Sequence, residues 1–191
     1  MPSTPNPRSL KIKFKGLSDR IITNLSISNA FDPTKPPTPQ PHFFETTALW
    51  DTGASKSVIT KATANSLDLT PTGEIQLQHA GGSDLVNTYV VNFFLPNKVG
   101  IAGIVVCECK DLSNNVGAII GMDIIRMGDF SITNVNKQTM MSYRFPSIES
   151  IDYVDYANKL KFAGVGNNDP CPCGKKNTIG KPIKFKKCCK P

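Results

Sequence analysis

At 191 residues and a formal charge of +7, the chain has room for one domain with a proper core plus a small appendage, and none for two large lobes. It holds no run of about eighteen apolar residues, and Met1 to Arg8 is polar and proline-rich where a signal core would be apolar, so a soluble, cytoplasmic protein is expected. The charge is local: residues 1–169 carry 15 Lys+Arg against 15 Asp+Glu, whereas residues 170–191 carry seven lysines and no acid.

Residues 1–9 read as a disordered leader without an apolar anchor. Leu10 to Phe14 and Arg20 to Ser28 alternate apolar and polar positions and predict strands. Phe31 to His42 has five prolines in twelve positions, so it cannot enter a ladder and predicts a stiff exposed loop. Phe43 to Trp50 predicts the next strand, and it ends abruptly on one carboxylate in Trp50-Asp51-Thr52-Gly53-Ala54-Ser55. Gly53 permits a tight turn, and Thr52 and Ser55 can bond to nearby backbone, so Asp51 would be held by amide donors. Trp50 either fills core or narrows whatever cleft Asp51 faces.

Thr60 caps a short predicted helix using Ala62, Ala64 and Leu67, which Pro71 stops. Glu74 to Gln78 and a strict period-two run through Tyr89, Val91, Phe93 and Leu95 predict a hairpin, with Gly81-Gly82 at its tip. Val99 to Lys110 predicts another strand with Ile101, Val105, Cys107 and Cys109 on one side. Ala118-Ile119-Ile120-Gly121-Met122-Asp123 reads as a core strand entering a helix, Gly121 lying where backbone passes close by. Phe130 to Ile132 and Thr139 to Phe145 flank a turn at Asn134 to Lys137. Residues 146–168 predict a short helix and a hinge, and residues 169–191 a separate module.

Taken together, Asp51-Thr52-Gly53-Ala54, the Gly81-Gly82 hairpin about thirty residues on, and Ile119-Ile120-Gly121 resemble the single-lobed, retropepsin-like aspartic peptidases over about residues 10–145. The resemblance implies an all-β fold, a closed barrel with one or two short helices. It implies that Asp51 is catalytic, without any cofactor. Thr52 of each copy would bond across a two-fold axis. The loop Gly53-Ala54-Ser55 would offer backbone to an extended polypeptide, and Gly81 and Gly82 would close over it. Gly121 and Asp123 would be structural, beside the catalytic loop.

Peptide hydrolysis without metal or covalent intermediate needs one group to take a proton from water and another to give one to the carbonyl oxygen. With a single Asp-Thr-Gly, the second carboxylate must come from another copy of the chain, which implies a homodimer. Two carboxylates about 3 Å apart repel by roughly 5 kcal/mol at an effective dielectric of about 20, so such a pair shares one proton, as in aspartic peptidases generally. Viral members close their dimers with interleaved chain ends. Here the leader and the appended module require another interface, with Thr139 to Phe145 as the candidate.

Four of the six cysteines, Cys171, Cys173, Cys188 and Cys189, lie in the lysine-rich tail. So short a peptide cannot bury enough surface to fold alone, and four thiolates around one structural Zn²⁺ would supply the missing free energy. Adjacent Cys188 and Cys189 make poor independent disulfide partners but can both reach a metal. Cys-x-Cys with a terminal Cys-Cys resembles the SEC-C zinc motif of the bacterial export ATPase, although the pairs there are about eight residues apart and here fourteen, with Asn177 to Ile183 as the insertion. The resemblance implies a recruitment module whose basic charge attracts a ribosome, RNA, a chaperone or an acidic protein surface. Three readings therefore stand: a homodimeric aspartic endopeptidase, an adaptor acting through its zinc tail, and a non-catalytic dimerising β-domain.

Overall fold

The computed structural model describes residues 6–79, 82–112 and 115–189, and divides into two compact units, Met1–Glu149 and Ser150–Pro191. Among the described residues no helix is long and apolar enough to cross a membrane.

The first unit is mostly β. Its elements are β1 (Arg8–Lys13), β2 (Ile22–Asn29), β3 (Phe43–Trp50), β4 (Val58–Thr60), α1 (Lys61–Ser66), β5 (Gly73–His79), β6 (Gly82–Leu95), β7 (Val99–Cys109), β8 (Val116–Ile120), α2 (Met122–Ile125), β9 (Asp129–Thr133) and β10 (Met140–Phe145). Strands β2-β3-β8-β4-β7-β6 are neighbours in that order, and β6 pairs back onto β2 from Ser26↔Phe94 to Asn29↔Val91. Six strands thus close into a barrel, which removes their free edges. The seventh strand of this sheet, β5, hangs outside the barrel as the second arm of a hairpin with β6. Inward-pointing Leu25, Ile27, Ile59, Val91, Phe93, Val106, Ala118 and Ile120 are buried and belong to one core.

The period-two reading of Val99 to Lys110 does not survive intact. Gly103 adopts φ +68° and donates its N–H to Asn92 Oδ1 at 2.8 Å, where the β6–β7 register slips between Val91 and Phe93. Beyond this bulge the inward phase changes, so Val106 is buried and Val105 is exposed. By contrast, Thr60 caps α1 as its sequence requires, its Oγ1 accepting from Thr63 N at 3.1 Å.

A second sheet has the order β1-β10-β9, all antiparallel. Its inner face brings Leu10, Met141 and Tyr143 into the core beside Trp50, whose ring centroid lies 5.0 Å from Tyr143 and 5.4 Å from Phe130. The expectation that Thr139 to Phe145 contributes to an intermolecular interface finds no free strand edge there. Strand β10 is paired on both sides, to β1 and to β9, so its backbone ladder is fully used.

The second unit opens with α3 (Tyr153–Lys161), capped by Asp152, whose carboxylate accepts from Val154 N and Asp155 N. Beyond it the described residues hold no named strand but carry the bridges Pro170↔Lys184 and Lys176↔Pro182. Phe185 is buried there, with its ring centroid 4.9 Å from that of Phe162.

Candidate active site and cysteine cluster

Asp51 stands at the carboxyl end of β3, where that strand runs parallel to β8 with Trp50 beside Ile120. Its amide N–H donates to Ile120 O at 3.0 Å, so the ladder carries one residue past the strand and fixes the Asp51 backbone. Trp50 settles the open question about its role: it is buried, donates from Nε1 to Thr23 Oγ1 at 3.0 Å, and stacks on Phe130, which makes it core.

The loop turns tightly. Gly53 N donates to Asp51 Oδ1 at 2.8 Å and Ala54 N to Asp51 O at 3.2 Å. Asp51 is half-buried, Thr52, Gly53 and Ser55 are exposed, and Ala54 is half-buried. One carboxylate oxygen is therefore oriented by backbone, at the surface of a rigid barrel.

Three contacts anchor this loop to the segment after β8. Met122 N donates to Ala54 O at 2.7 Å. Ser57 donates to Asp123 through both N (2.9 Å, to Oδ2) and Oγ (2.7 Å, to Oδ1), and Ser57 Oγ accepts from Gly121 N at 3.0 Å. A Cβ on Gly121 would lie 2.7 Å from Lys56 C and O and 2.9 Å from Ala54 O, so the close approach demands glycine. Asp123 also accepts from Ile124 N at 3.0 Å. Both Asp123 oxygens are thus engaged in holding the loop against the start of α2.

The fold thus brings Asp51, Thr52, Gly53, Ala54, Ser55, Gly121 and Asp123 into one cluster. Gly82 sits elsewhere, as the first residue of β6 opposite His79 with φ +128°, a conformation that suits glycine. Gly81 lies outside the described residues. Sequence reasoning missed Ser57, a fully buried hydroxyl between Lys56 and Val58. Its one signal was a polar residue opening an otherwise buried run. A cavity of about 1020 Å³ lies away from this loop, lined by Leu25, Phe43, Phe94, Val99 and Phe145 among others.

In the second unit, Cys171, Cys173, Cys188 and Cys189 converge, all four Sγ atoms lying within 4.8 Å of one another. Cys173 and Cys188 are 3.4 Å apart and Cys188 and Cys189 3.8 Å, and all are free thiols. A tetrahedron of sulfurs about 2.3 Å from one Zn²⁺ has edges of about 3.8 Å, so the donor set fits a metal ion of that kind. The Lys175 N–H, ahead of the neighbouring thiols, pulls Cys173 down to about 6, and hydrogen bonding to Cys173 pushes Cys188 up to about 12.

Backbone bonds Cys171 N to Ile183 O (2.8 Å) and Phe185 N to Asp169 O (2.8 Å) tie together the segments that carry the two pairs, and Cys188 N to Phe185 O (3.1 Å) turns the second pair. The insertion folds on itself, Asn177 N donating to Lys181 O at 2.8 Å and Asn177 Oδ1 accepting from Ile179 and Lys181. The longer spacing is thereby taken up as a turn beyond the Lys176↔Pro182 bridge.

Fold and site together define a mostly-β protein with a closed six-stranded barrel, an acid presented at a strand end, and a separate four-cysteine cluster that could hold a metal ion. Residues 45–124 match the family model described as Aspartyl protease. The chain is similar to a retropepsin-like aspartic protease from Rickettsia conorii, at 15% identity and a TM-score of 0.46 over 74% of this chain and 98% of that one. It is also similar to the EIAV protease complexed with the inhibitor HBY-793, at 22% identity and a TM-score of 0.39 over 57% of this chain and 88% of that one. No curated protein matches it significantly.

Proposed function

We propose that the protein is an aspartic endopeptidase that works as a homodimer in the cytoplasm, each copy giving Asp51 to one dyad. The observation that carries this reading is the Asp51 loop itself, an acid whose Oδ1 accepts from Gly53 N at the end of a barrel strand, inside the segment that matches the Aspartyl protease model. In this reading one copy offers half a cleft.

In the dyad, repulsion leaves one proton on two carboxylates. The ionised Asp51 takes a proton from a water, whose oxygen attacks the peptide carbonyl, while the protonated Asp51 gives its proton to the carbonyl oxygen. Collapse of the tetrahedral diol returns a proton to the leaving amine, so the two carboxyls exchange roles and no metal or covalent enzyme bond is involved. Thr52 of each copy bonds across the axis, Gly53, Ala54 and Ser55 present backbone to the substrate, and the β5–β6 hairpin with Gly81 and Gly82 covers it. Incubation with denatured casein between pH 4 and 7, with and without pepstatin, tests the reading. Asp51→Asn is expected to abolish cleavage, and retained cleavage would remove the proposal.

The four cysteines would hold one structural Zn²⁺, which when bound neutralises thiolate charge and staples the tail. Seven lysines against the −2 of a four-thiolate zinc centre leave the tail at about +5. Its described lysines, Lys175, Lys176, Lys181, Lys184, Lys186 and Lys187, are all exposed, which favours a second role in docking to RNA, ribosome, chaperone or another acidic partner. Salt-sensitive, chelator-sensitive capture by the full chain tests that role.

A further inference from the structure

Strands of a closed barrel turn alternate side chains inward to the core and the others outward, where polar residues are the rule. On β3 and β6 two outward positions depart from it. Ser26 pairs with Glu45 on one side and with Phe94 on the other, so these three share one outward row, and Phe43 lies two residues from Glu45 on the same face. Phe43 and Phe94 stand outside the main core with ring centroids 5.3 Å apart, and Phe31, from the proline-rich loop, stacks on Phe94 at 6.1 Å and 22°. We infer that this aromatic cluster forms the floor of a binding site for an amphipathic carboxylic acid, an apolar body carrying one carboxylate.

Phe43 and Phe94 line the cavity of about 1020 Å³, large enough for a small organic molecule. Phe145 and Pro146 line it from the end of β10, and Pro96 and Gly100 from the turn between β6 and β7. Its described charged side chains are Arg8, Lys98 and Glu45, all exposed, so two cations stand against one acid and the balance favours an anion. The cations are held together. Arg8 Nη1 donates to Lys98 O at 2.6 Å and Asn97 Nδ2 to Ser9 O at 2.9 Å, which ties the start of β1 to the turn that carries Lys98. Arg8 spends one of its five N–H groups on that bond and keeps the rest for a carboxylate.

The site shares no described lining residue with the Asp51 loop or with the four cysteines, so it stands or falls independently of peptide cleavage and of metal binding. Gly100 gives a way to close it. It lies opposite Phe94 in the β6–β7 ladder, and a Cβ there would meet Phe94 Cδ1 at 3.5 Å, an ordinary contact, so a larger side chain occupies the cavity without displacing backbone.

The test uses the full chain and decanoate, with decylamine as the same tail under the opposite charge and acetate as the head alone. Calorimetric titration is expected to show one saturable decanoate site per chain, and amide NMR spectra to shift at Arg8, Ser26, Phe43, Phe94 and Gly100. Decylamine and acetate should bind about tenfold more weakly or worse. Thermal melts establish that each variant folds. Replacing both cations, Arg8→Ala with Lys98→Ala, should raise the decanoate Kd by about tenfold, Glu45→Gln should lower it, and Gly100→Leu should abolish binding. No saturable binding up to millimolar decanoate would overturn the proposal. So would decylamine binding as tightly, shifts confined to the lysine-rich tail, or a folded Gly100→Leu that binds like wild type.

Discussion

Ser57 Oγ donates to Asp123 Oδ1 at 2.7 Å while accepting from Gly121 N, so one buried hydroxyl ties the Asp51 loop to the start of α2. Ser57→Ala would leave a buried N–H and a carboxylate oxygen without that partner, a loss of about 1–3 kcal/mol. A lower melting temperature and a kcat that falls more than KM rises are expected, since the substitution loosens the position of Asp51 without touching substrate. Ser57→Thr, which keeps the hydroxyl, should recover most of both.

Gly121→Ala tests the close approach from the other side. Its methyl would sit 2.7 Å from the Lys56 carbonyl, and backbone on both sides leaves little room to yield. A destabilisation of about 1–3 kcal/mol or more is expected in denaturant titrations, with little folded protein at elevated temperature.

Trp50 is expected to matter for stability and not for cleavage preference. Trp50→Phe removes the bond to Thr23 Oγ1 and part of the stack on Phe130, at a cost of about 1–2 kcal/mol. Peptide-library cleavage profiles should be unchanged. A shifted preference would mean the indole reaches the cleft.

Asp129 supplies a pH signature. The Ser147 hydroxyl, the Ile148 N–H and Arg144 hold its carboxyl down to about 2, below the ordinary 3.8. With the folded value below the unfolded one, its contribution is fully present above about pH 4 and fades as pH falls through about 2. Denaturation midpoints measured from pH 5 to pH 2 should fall less steeply in Asp129→Asn than in wild type, and the two curves should run parallel from pH 5 to 7.

For the tail, native mass spectrometry is expected to find one zinc per chain, lost in Cys173→Ser. Chelation should abolish amide protection in residues 169–189 and leave the barrel protected, because the metal replaces a core that this segment lacks. Protection unaffected by chelation would mean that the cysteines are not ligands.

Much of this was legible without coordinates. Alternation in Arg20 to Ser28, Phe43 to Trp50 and Tyr89 to Leu95 marks strands because side chains alternate faces every residue, and Thr60 marks a helix start because its hydroxyl meets the amide three residues on. What failed, failed at a distance. Val105 points outward because Gly103, bonded to Asn92 eleven residues away, inserts a bulge that no local pattern announces. Thr139 to Phe145 reads as a strand fit for an interface, yet both its edges are taken by β1 and β9.

By itself, then, the sequence determined the acid at a strand end, the glycine turn behind it and the four cysteines with their lysines, since each is a matter of neighbouring residue types. Tertiary structure alone decided that β2 meets β6 to close the barrel, that Ser57 and Asp123 meet, that Trp50 turns into the core, and that β9 keeps an open edge. The physical reason is range: propensity and periodicity act over a few residues, whereas pairing is settled by which distant edges and side chains remain unsatisfied when the chain has packed.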